Sequence, residues 1–375
     1  MEYINRNKSL ITWKENLEHL YTFKDFPVFI WTTEWPSNED LIADMSFSIC
    51  RNTWFIQLNK VLPLEVIYSW YHSEALWWVW ERHHAEFIDF VSKYGLNNIL
   101  EIWGSNWYMA KKYTTLNHNS KWTIIEPNPN IESNAQINVI KSIFDNETII
   151  PEWIDWIVHS HVIEHLYYPL DLIKSISDSS KEWMLQIFSV PNLYEYLKQK
   201  FTNCMNFEHT TFLTEYFIDY LMSLHWFEIL EKKYFDKHSI FYATKKISQK
   251  IEFNFESKYD QYKKMLLDYI DFNNRIITNF NSQLAITDSE VYLFWAHVFS
   301  QYLLNQWIKT SNIIWILDNS KIKQWKRLYG SNFNIFSPDV LKGKSDVVVI
   351  LKAWGYQEEI RKQLLEINPN IEIWE

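Results

Sequence analysis

Ile99-Leu100-Glu101-Ile102-Trp103-Gly104-Ser105-Asn106-Trp107-Tyr108 is the stretch that decides how this chain folds. Four residues of buried-strand character run into a turn, and a helix-forming segment follows. Such a turn needs glycine, because only a residue without Cβ takes positive φ freely and lets a ligand approach the backbone. Two tryptophans stand there instead. The whole chain repeats the anomaly, with twenty-one tryptophans against five glycines. Average usage near 7% predicts about 26 glycines in 375 residues, and here the two types together number 26. Trp77 and Trp78 are adjacent, and Trp226 and Trp354 also fall at turn positions. We read most of these as positions where glycine is the working residue, as when a gene using UGA for glycine is translated with UGA as tryptophan. A Trp-rich core or carbohydrate-binding surface is the alternative.

Outward from that turn, short apolar runs alternate with amphipathic stretches. Ile99–Ile102, Trp122–Ile125, Ile137–Ile140, Ile154–Val158, Met184–Val190, Phe227–Leu230 and Ser239–Thr244 predict buried parallel strands with helices between them. A helix over Val79–Tyr94 leads in and ends at Gly95. After a polar linker near Lys246, a helix through 258–282 precedes Val291–Phe294, Ile313–Leu317 and Val347–Leu351, strands of a second sheet. Residues 1–80 show no clear period. The expected class is therefore α/β, with two doubly wound Rossmann-like units behind a small leading module. Its parts are residues 1–80, 81–247 and 258–375.

Composition narrows the function. A net charge of -10 with no basic run argues against a nucleic-acid partner. Cys50 and Cys204 stand far apart and make neither a disulfide framework nor a complete metal site. The opening residues lack an apolar signal core, and no stretch approaches a bilayer span. A soluble, cytoplasmic enzyme without a membrane partner is the expectation.

With glycine at 103 and 107 the turn reads acid-x-Gly-x-x-x-Gly and resembles the first motif of class I S-adenosylmethionine (SAM)-dependent methyltransferases. That resemblance implies SAM as cofactor, with Glu101, Trp103, Gly104, Ser105, Asn106 and Trp107 at its methionine end. Glu126, with Pro127 and Asn128, ends the next strand 23 residues after Trp103, where an acid can accept ribose hydroxyls. His159-Ser160-His161-Val162-Ile163-Glu164-His165 closes the fourth strand. Alternating His, Glu and His suggests zinc, but similar segments occur in methyltransferases without metal. His161 is placed at the cofactor edge, His165 in local packing or capping, and no metal is expected.

Over most of its length the chain resembles three-part C-methyltransferases acting on nucleotide-linked keto-deoxysugars. Ile49-Cys50-Arg51-Asn52-Thr53-Trp54 is similar to their zinc-binding Cys-x-x-Cys-Gly segment, with Thr53 in place of the second cysteine, so the module is of a degenerate zinc-binding type. Asn206-Phe207-Glu208-His209 resembles the Glu-His segment whose His is the general base. Carbon becomes nucleophilic only when a proton beside a carbonyl is removed, and a neutral His can take it. Glu208 would orient that ring or raise its pKa. Tyr68-Ser69-Trp70-Tyr71-His72-Ser73 is similar to the aromatic segment reaching over the sugar: Tyr71 is a donor to the developing enolate oxygen, and His72 and Ser73 are substrate contacts. His83 and His84 read as structural. Trp295 and Asp318, 23 residues apart, repeat the turn-and-acid pattern in the trailing unit, for which a shielding, substrate-contacting role is favoured over a second cofactor. The rival functions are O- or N-methylation of a small molecule and a non-catalytic binding protein with a decayed SAM fold.

Overall fold

The computed structural model describes residues 3–67, 78–104, 107–129, 132–144, 147–249, 251–353 and 356–375, the side chain of Trp78 excepted. The leading segment, expected to be irregular, holds an antiparallel sheet of β1 (Leu17–Pro27), β2 (Ile42–Cys50) and β3 (Ile56–Leu58). Its period was obscured because β1 is bulged against β2 at two places and mixes half-buried with exposed positions. Ala43, Met45 and Phe47 of β2 are buried and alternate with the more exposed Ile42, Asp44 and Ser46, after which Ser48, Ile49 and Cys50 are all buried.

Helix α1 (Trp78–Ser92) then leads into the central sheet and stops at Gly95, whose φ of 61° reverses the chain. The sheet strands are β4 (Asn98–Ile102), β5 (Lys121–Glu126), β6 (Ile137–Lys141), β7 (Trp156–Ser160), β8 (Leu185–Pro191), β9 (Phe227–Phe235) and β10 (Ser239–Lys246). Helices α2 (Tyr108–Leu116), α3 (Pro169–Ser179) and α4 (Glu215–Leu224) connect them. Their order is β9-β10-β8-β7-β4-β5-β6. All seven residues of β8 are buried, as a strand covered on both faces requires. One expectation is corrected: β10 runs antiparallel to both its neighbours. Only Asp236-Lys237-His238 separate β9 from β10, far too few for the crossover a parallel pair needs.

Strand order reverses between β4 and β7, which lie side by side. Open α/β sheets bind ligands at the carboxyl ends of strands at such a switch point. The turn after β4 and the His-rich segment after β7 therefore meet at one place.

The 26-residue α5 (Tyr259–Leu284) buries Tyr262, Leu266, Tyr269, Ile270, Asn273, Ile277, Phe280 and Leu284 along one stripe. It leads to a five-stranded parallel sheet of β11 (Glu290–Phe294), β12 (Ile313–Leu317), β13 (Ile335–Phe336), β14 (Val347–Leu351) and β15 (Glu372–Trp374), ordered β13-β12-β11-β14-β15. Helices α6 (Val298–Asn305) and α7 (Gln357–Ile367) complete it. Among the described residues no helix is long and apolar enough to cross a membrane.

The backbone also sorts the tryptophans. Thirteen non-glycine residues among those described have positive φ, and eight are tryptophans: 13, 54, 103, 107, 183, 226, 307 and 325. A bulky residue there is a genuine outlier, since Cβ collides with the carbonyl oxygen. Several of the same side chains are thrust into solvent, Trp307 at 84% and Trp325 at 79% exposure. By contrast Trp122, 1% exposed within β5, donates its indole N–H to Glu101 at 2.7 Å.

Candidate active site at the strand-order switch

β4 ends in a turn that is left-handed twice, at Trp103 (φ 56°) and Trp107 (φ 52°). Trp103 N–H donates to Ile125 and Trp107 N–H to Gly104, folding the turn back over β5. Gly104 is required by contact: a Cβ there would stand 2.8 Å from Ile124 Cγ2 and 2.9 Å from the Glu101 carboxyl carbon. Glu101, 1% exposed, accepts from Trp122 through Oε2, while its buried Oε1 has no hydrogen-bond partner. Burial, reinforced by Glu126, pushes its pKa up to about 8. Glu126 sits half-buried at the end of β5 and accepts from Asn128 N–H at 3.1 Å; Pro127 lies between them. Ser105 and Asn106 fall outside the described residues. A bare-backbone cradle, an orphaned carboxyl oxygen and a strand-end acid form a donor set that suits the amino-acid end and ribose of SAM. The Trp103 and Trp107 side chains are the two features of the turn that do not suit it.

After β7, His161 adopts φ 53°. Its Nε2 lies 3.0 Å from Ser239 Oγ and its Nδ1 3.0 Å from Glu164 Oε1. The ring also stands among Trp80, His83 and His238, at centroid distances of 4.9, 5.1 and 5.8 Å. Burial holds His161 neutral, with its pKa near 3, and drives the Glu164 carboxyl up to about 7. His83 bonds Ser189 and His84 packs on Tyr108, so α1 walls this side of the cofactor turn.

The segment before α4 supplies the second half. Asn206 Oδ1 accepts the N–H groups of Glu208 and His209 at 2.8 and 2.7 Å, a tight side-chain turn that presents both residues. His209 meets His165 edge to face at 5.0 Å, and Glu208 Oε2 lies 3.8 Å from His165 Nδ1. Glu164, His165 and His209 each bring one donor atom to within 4.8 Å of the others. Burial, then His161, lowers the His209 pKa to about 4, so the ring is unprotonated and able to accept at neutral pH. His165, placed by its sequence in local packing, thus lies beside His209 and Glu208, and Glu164 stands next to it. Their signal was their position on the strand-end segment at the switch point. Tyr71, His72 and Ser73 lie outside the described residues.

Strand β3 extends this arrangement: Gln57 bridges Thr211, Leu58 N–H donates to Thr210, and Phe212 N–H to Ile56. The leading module thereby grips the His209 loop. At its other end Cys50 is buried and its Sγ bonds Asn16 Oδ1, with Thr53 and Trp54 (φ 49°) finishing the knuckle. The stretch is a tight turn with a left-handed backbone at 54 and a single cysteine. In the trailing sheet Asp318 is fully buried and occupied by Ala296 N–H, Ser320 N–H and Lys323, so it does not face a ribose. A cleft of about 710 Å³ opens elsewhere, beside Tyr194, Glu215, Asp219 and Tyr262. Its acids are neutralised within the fold, since Lys232 bridges Glu215 and Asp219 at 2.7 Å each.

Residues 243–370 match the family described as C-methyltransferase C-terminal domain. Over this segment the chain is similar to the trailing part of C-methyltransferases. The matched segment begins inside β10 and runs through β11, β12, β13 and β14 of the trailing sheet, ending just before β15. No curated protein matches the chain. Among solved structures it is similar to the N-methyltransferase NodS from Bradyrhizobium japonicum WM9, at 14% identity over 45% of this chain and 97% of that one, with a TM-score of 0.36. Human N-acetylserotonin methyltransferase in complex with SAM aligns at 16% identity over 45% and 53% of the two chains, TM-score 0.40. A SAM-dependent methyltransferase from Aquifex aeolicus aligns at 10% over 43% and 90%, TM-score 0.36.

Proposed function

We propose that this chain is a SAM-dependent methyltransferase that acts on carbon, on a nucleotide-linked keto-deoxysugar, after a protein base has made the sugar's enolate. The observation that carries the reading is the convergence of His209, Glu208 and His165 beside the switch point, in a chain whose trailing part is of C-methyltransferase type. O- or N-methylation needs no base strong enough to break a C–H bond.

His209 takes the proton next to the carbonyl. A carboxylate beside an imidazole pair favours the protonated ring, which counters the lowering by burial as the proton is taken up. Glu208 acts through His165, which shares that charge across the ring pair. Tyr71 donates to the developing enolate oxygen, with His72 and Ser73 contacting the sugar. SAM, when bound, supplies an electrophilic methyl group. Glu101, Gly104 and Glu126 would hold it, with Ser105, Asn106, Pro127 and Asn128 as further contacts and His161 near its edge. The leading module 1–80 covers the substrate, 81–247 holds the cofactor and 258–375 shields the site, in the cytoplasm. Glycine is the working residue at the eight left-handed tryptophan positions, 103 and 107 above all.

The test is His209→Ala and His209→Asn in chain carrying glycine at 103 and 107. Methyl transfer should vanish while SAM binding by calorimetry persists. Near-normal turnover in either variant would move the assignment to an oxygen or nitrogen acceptor.

A further inference from the structure

Arg6 is a buried cation that the chemistry above leaves unused. It is 4% exposed and reaches from the leading module into the central one. Nη2 donates to the carbonyl of Tyr167 at 2.8 Å and Nη1 to the carbonyl of Thr210 at 3.3 Å. Its guanidinium carbon lies 4.9 Å from the centre of the Tyr167 ring and 5.9 Å from that of Tyr168. None of the ion pairs among the described residues gives it a carboxylate. Tyr167 comes two residues after His165, and Thr210 directly follows His209.

A buried charge held, among the described residues, by carbonyls and ring faces is expensive. Burial lowers the Arg6 pKa to about 10, which still leaves it charged at neutral pH. A fold needing only to fill this space would do as well or better with an apolar side chain. A rigid planar fork does what such a side chain does not: it fixes two acceptors at one separation. The other links across the same gap are weaker or one-sided. Thr210 Oγ1 reaches the Leu166 carbonyl at 3.4 Å, and Leu58 N–H shares the Thr210 carbonyl with Arg6.

We propose that Arg6 is a positioning residue for proton abstraction, its guanidinium setting the spacing between the loop that carries His165 and the loop that carries His209. The inference rests on the assignment of His209 as the base. The leading module is then part of the catalytic apparatus and not only a cover over the substrate.

Arg6→Ala and Arg6→Lys in the full chain carrying glycine at 103 and 107 test it, each followed by kcat, acceptor KM, SAM affinity, melting temperature and exchange of the substrate's α-hydrogen with deuterated solvent. Arg6→Ala should lower kcat and α-exchange roughly 100-fold, the scale on which small misplacements act, with acceptor KM and SAM affinity within about twofold of the parent. Added guanidinium should restore part of the exchange in Arg6→Ala and none in His209→Ala. Arg6→Lys keeps the charge but not the fork, and should fold and fall between the two. If Arg6→Ala does not fold, Arg6→Lys decides. Parental kcat in Arg6→Lys, or a loss shared equally by SAM affinity and melting temperature without guanidinium rescue, overturns the proposal. Turnover surviving in His209→Ala would instead remove the base assignment beneath it.

Discussion

The Glu164 carboxylate lies 3.0 Å from Nδ1 of His161, and the acid is 1% exposed. Buried acids and buried imidazoles of this kind pull stability in opposite directions with pH. Burial raises Glu164 to about 7 and Glu101 to about 8, so the folded chain holds protons that the unfolded chain has already released. Their contribution is complete below the ordinary carboxyl range and fades as pH climbs toward about 8. His161 and His238 are pushed down to about 3, and His84 and His209 to about 4. These resist protonation in the fold, so their contribution is full above about pH 6.5 and drains away on acidification. The urea midpoint should therefore peak near neutrality, with the steeper fall on the acid side. Glu164→Gln should flatten the alkaline decline. A midpoint that climbs steadily to about pH 9 in the parent would contradict this balance.

The cofactor turn yields a second expectation. Trp103→Gly with Trp107→Gly removes two indoles from the turn and relaxes two left-handed backbones. The double variant should bind SAM in a calorimeter at micromolar affinity, and the chain with both tryptophans should give no heat. Equal binding by the two forms would mean that the indoles do not obstruct the cradle.

Much of this was legible in the sequence because buried parallel strands announce themselves as apolar runs. Ile99–Ile102, Val291–Phe294 and Val347–Leu351 all lie in strands. The turn at 103–107 could be placed because strand, turn and acid occur at fixed spacing. The leading sheet was not legible, since the bulges in β1 break the alternation that would reveal it. Nor was the antiparallel β10, whose composition matches a parallel strand and whose direction is set only by a three-residue connection. The contact of His165 with His209 was not legible because a sequence shows neighbours along the chain, and the two lie 44 residues apart. Asp318 had the right spacing from its turn, but its hydrogen bonds point inward.

Backbone sign separates the tryptophans into two classes with opposite responses to glycine. Trp307 (φ 68°) and Trp325 (φ 69°) are largely exposed. Releasing an L-residue from the left-handed region outweighs the added chain entropy, so each change to glycine should raise stability by about 1 kcal/mol. Trp122 is buried and hydrogen-bonded to Glu101. Trp122→Gly should cost about 3–5 kcal/mol through the cavity it leaves. Urea titrations of the three variants check this, and a loss at both 307 and 325 would refute the sorting.

The leading and trailing modules are joined by a buried ion pair whose removal should be felt across the molecule. Arg327 Nη1 and Nη2 bind the two oxygens of Asp40 at 2.6 and 2.7 Å, and the side chains are 10% and 4% exposed. The same guanidinium donates to the Trp35 carbonyl, and Asp40 accepts from Gly330 N–H at 2.8 Å. Around it Arg327–Leu328 pairs with Thr32–Thr33, and Gln301 ties the carbonyls of Phe29 and Tyr329 together. Each partner's charge is offset by the other, so deleting one strands the second in a dry site. Asp40→Ala should destabilise by about 3–5 kcal/mol. Asp40→Ala combined with Arg327→Met should cost less than Asp40→Ala alone, because no buried charge remains unpaired. A double-mutant cycle by urea unfolding measures the coupling, and limited proteolysis should show the 27–41 segment opening first in Asp40→Ala. Additive losses in the cycle would mean that the pair contributes no coupling and that the surrounding carbonyl and strand contacts hold the two modules together.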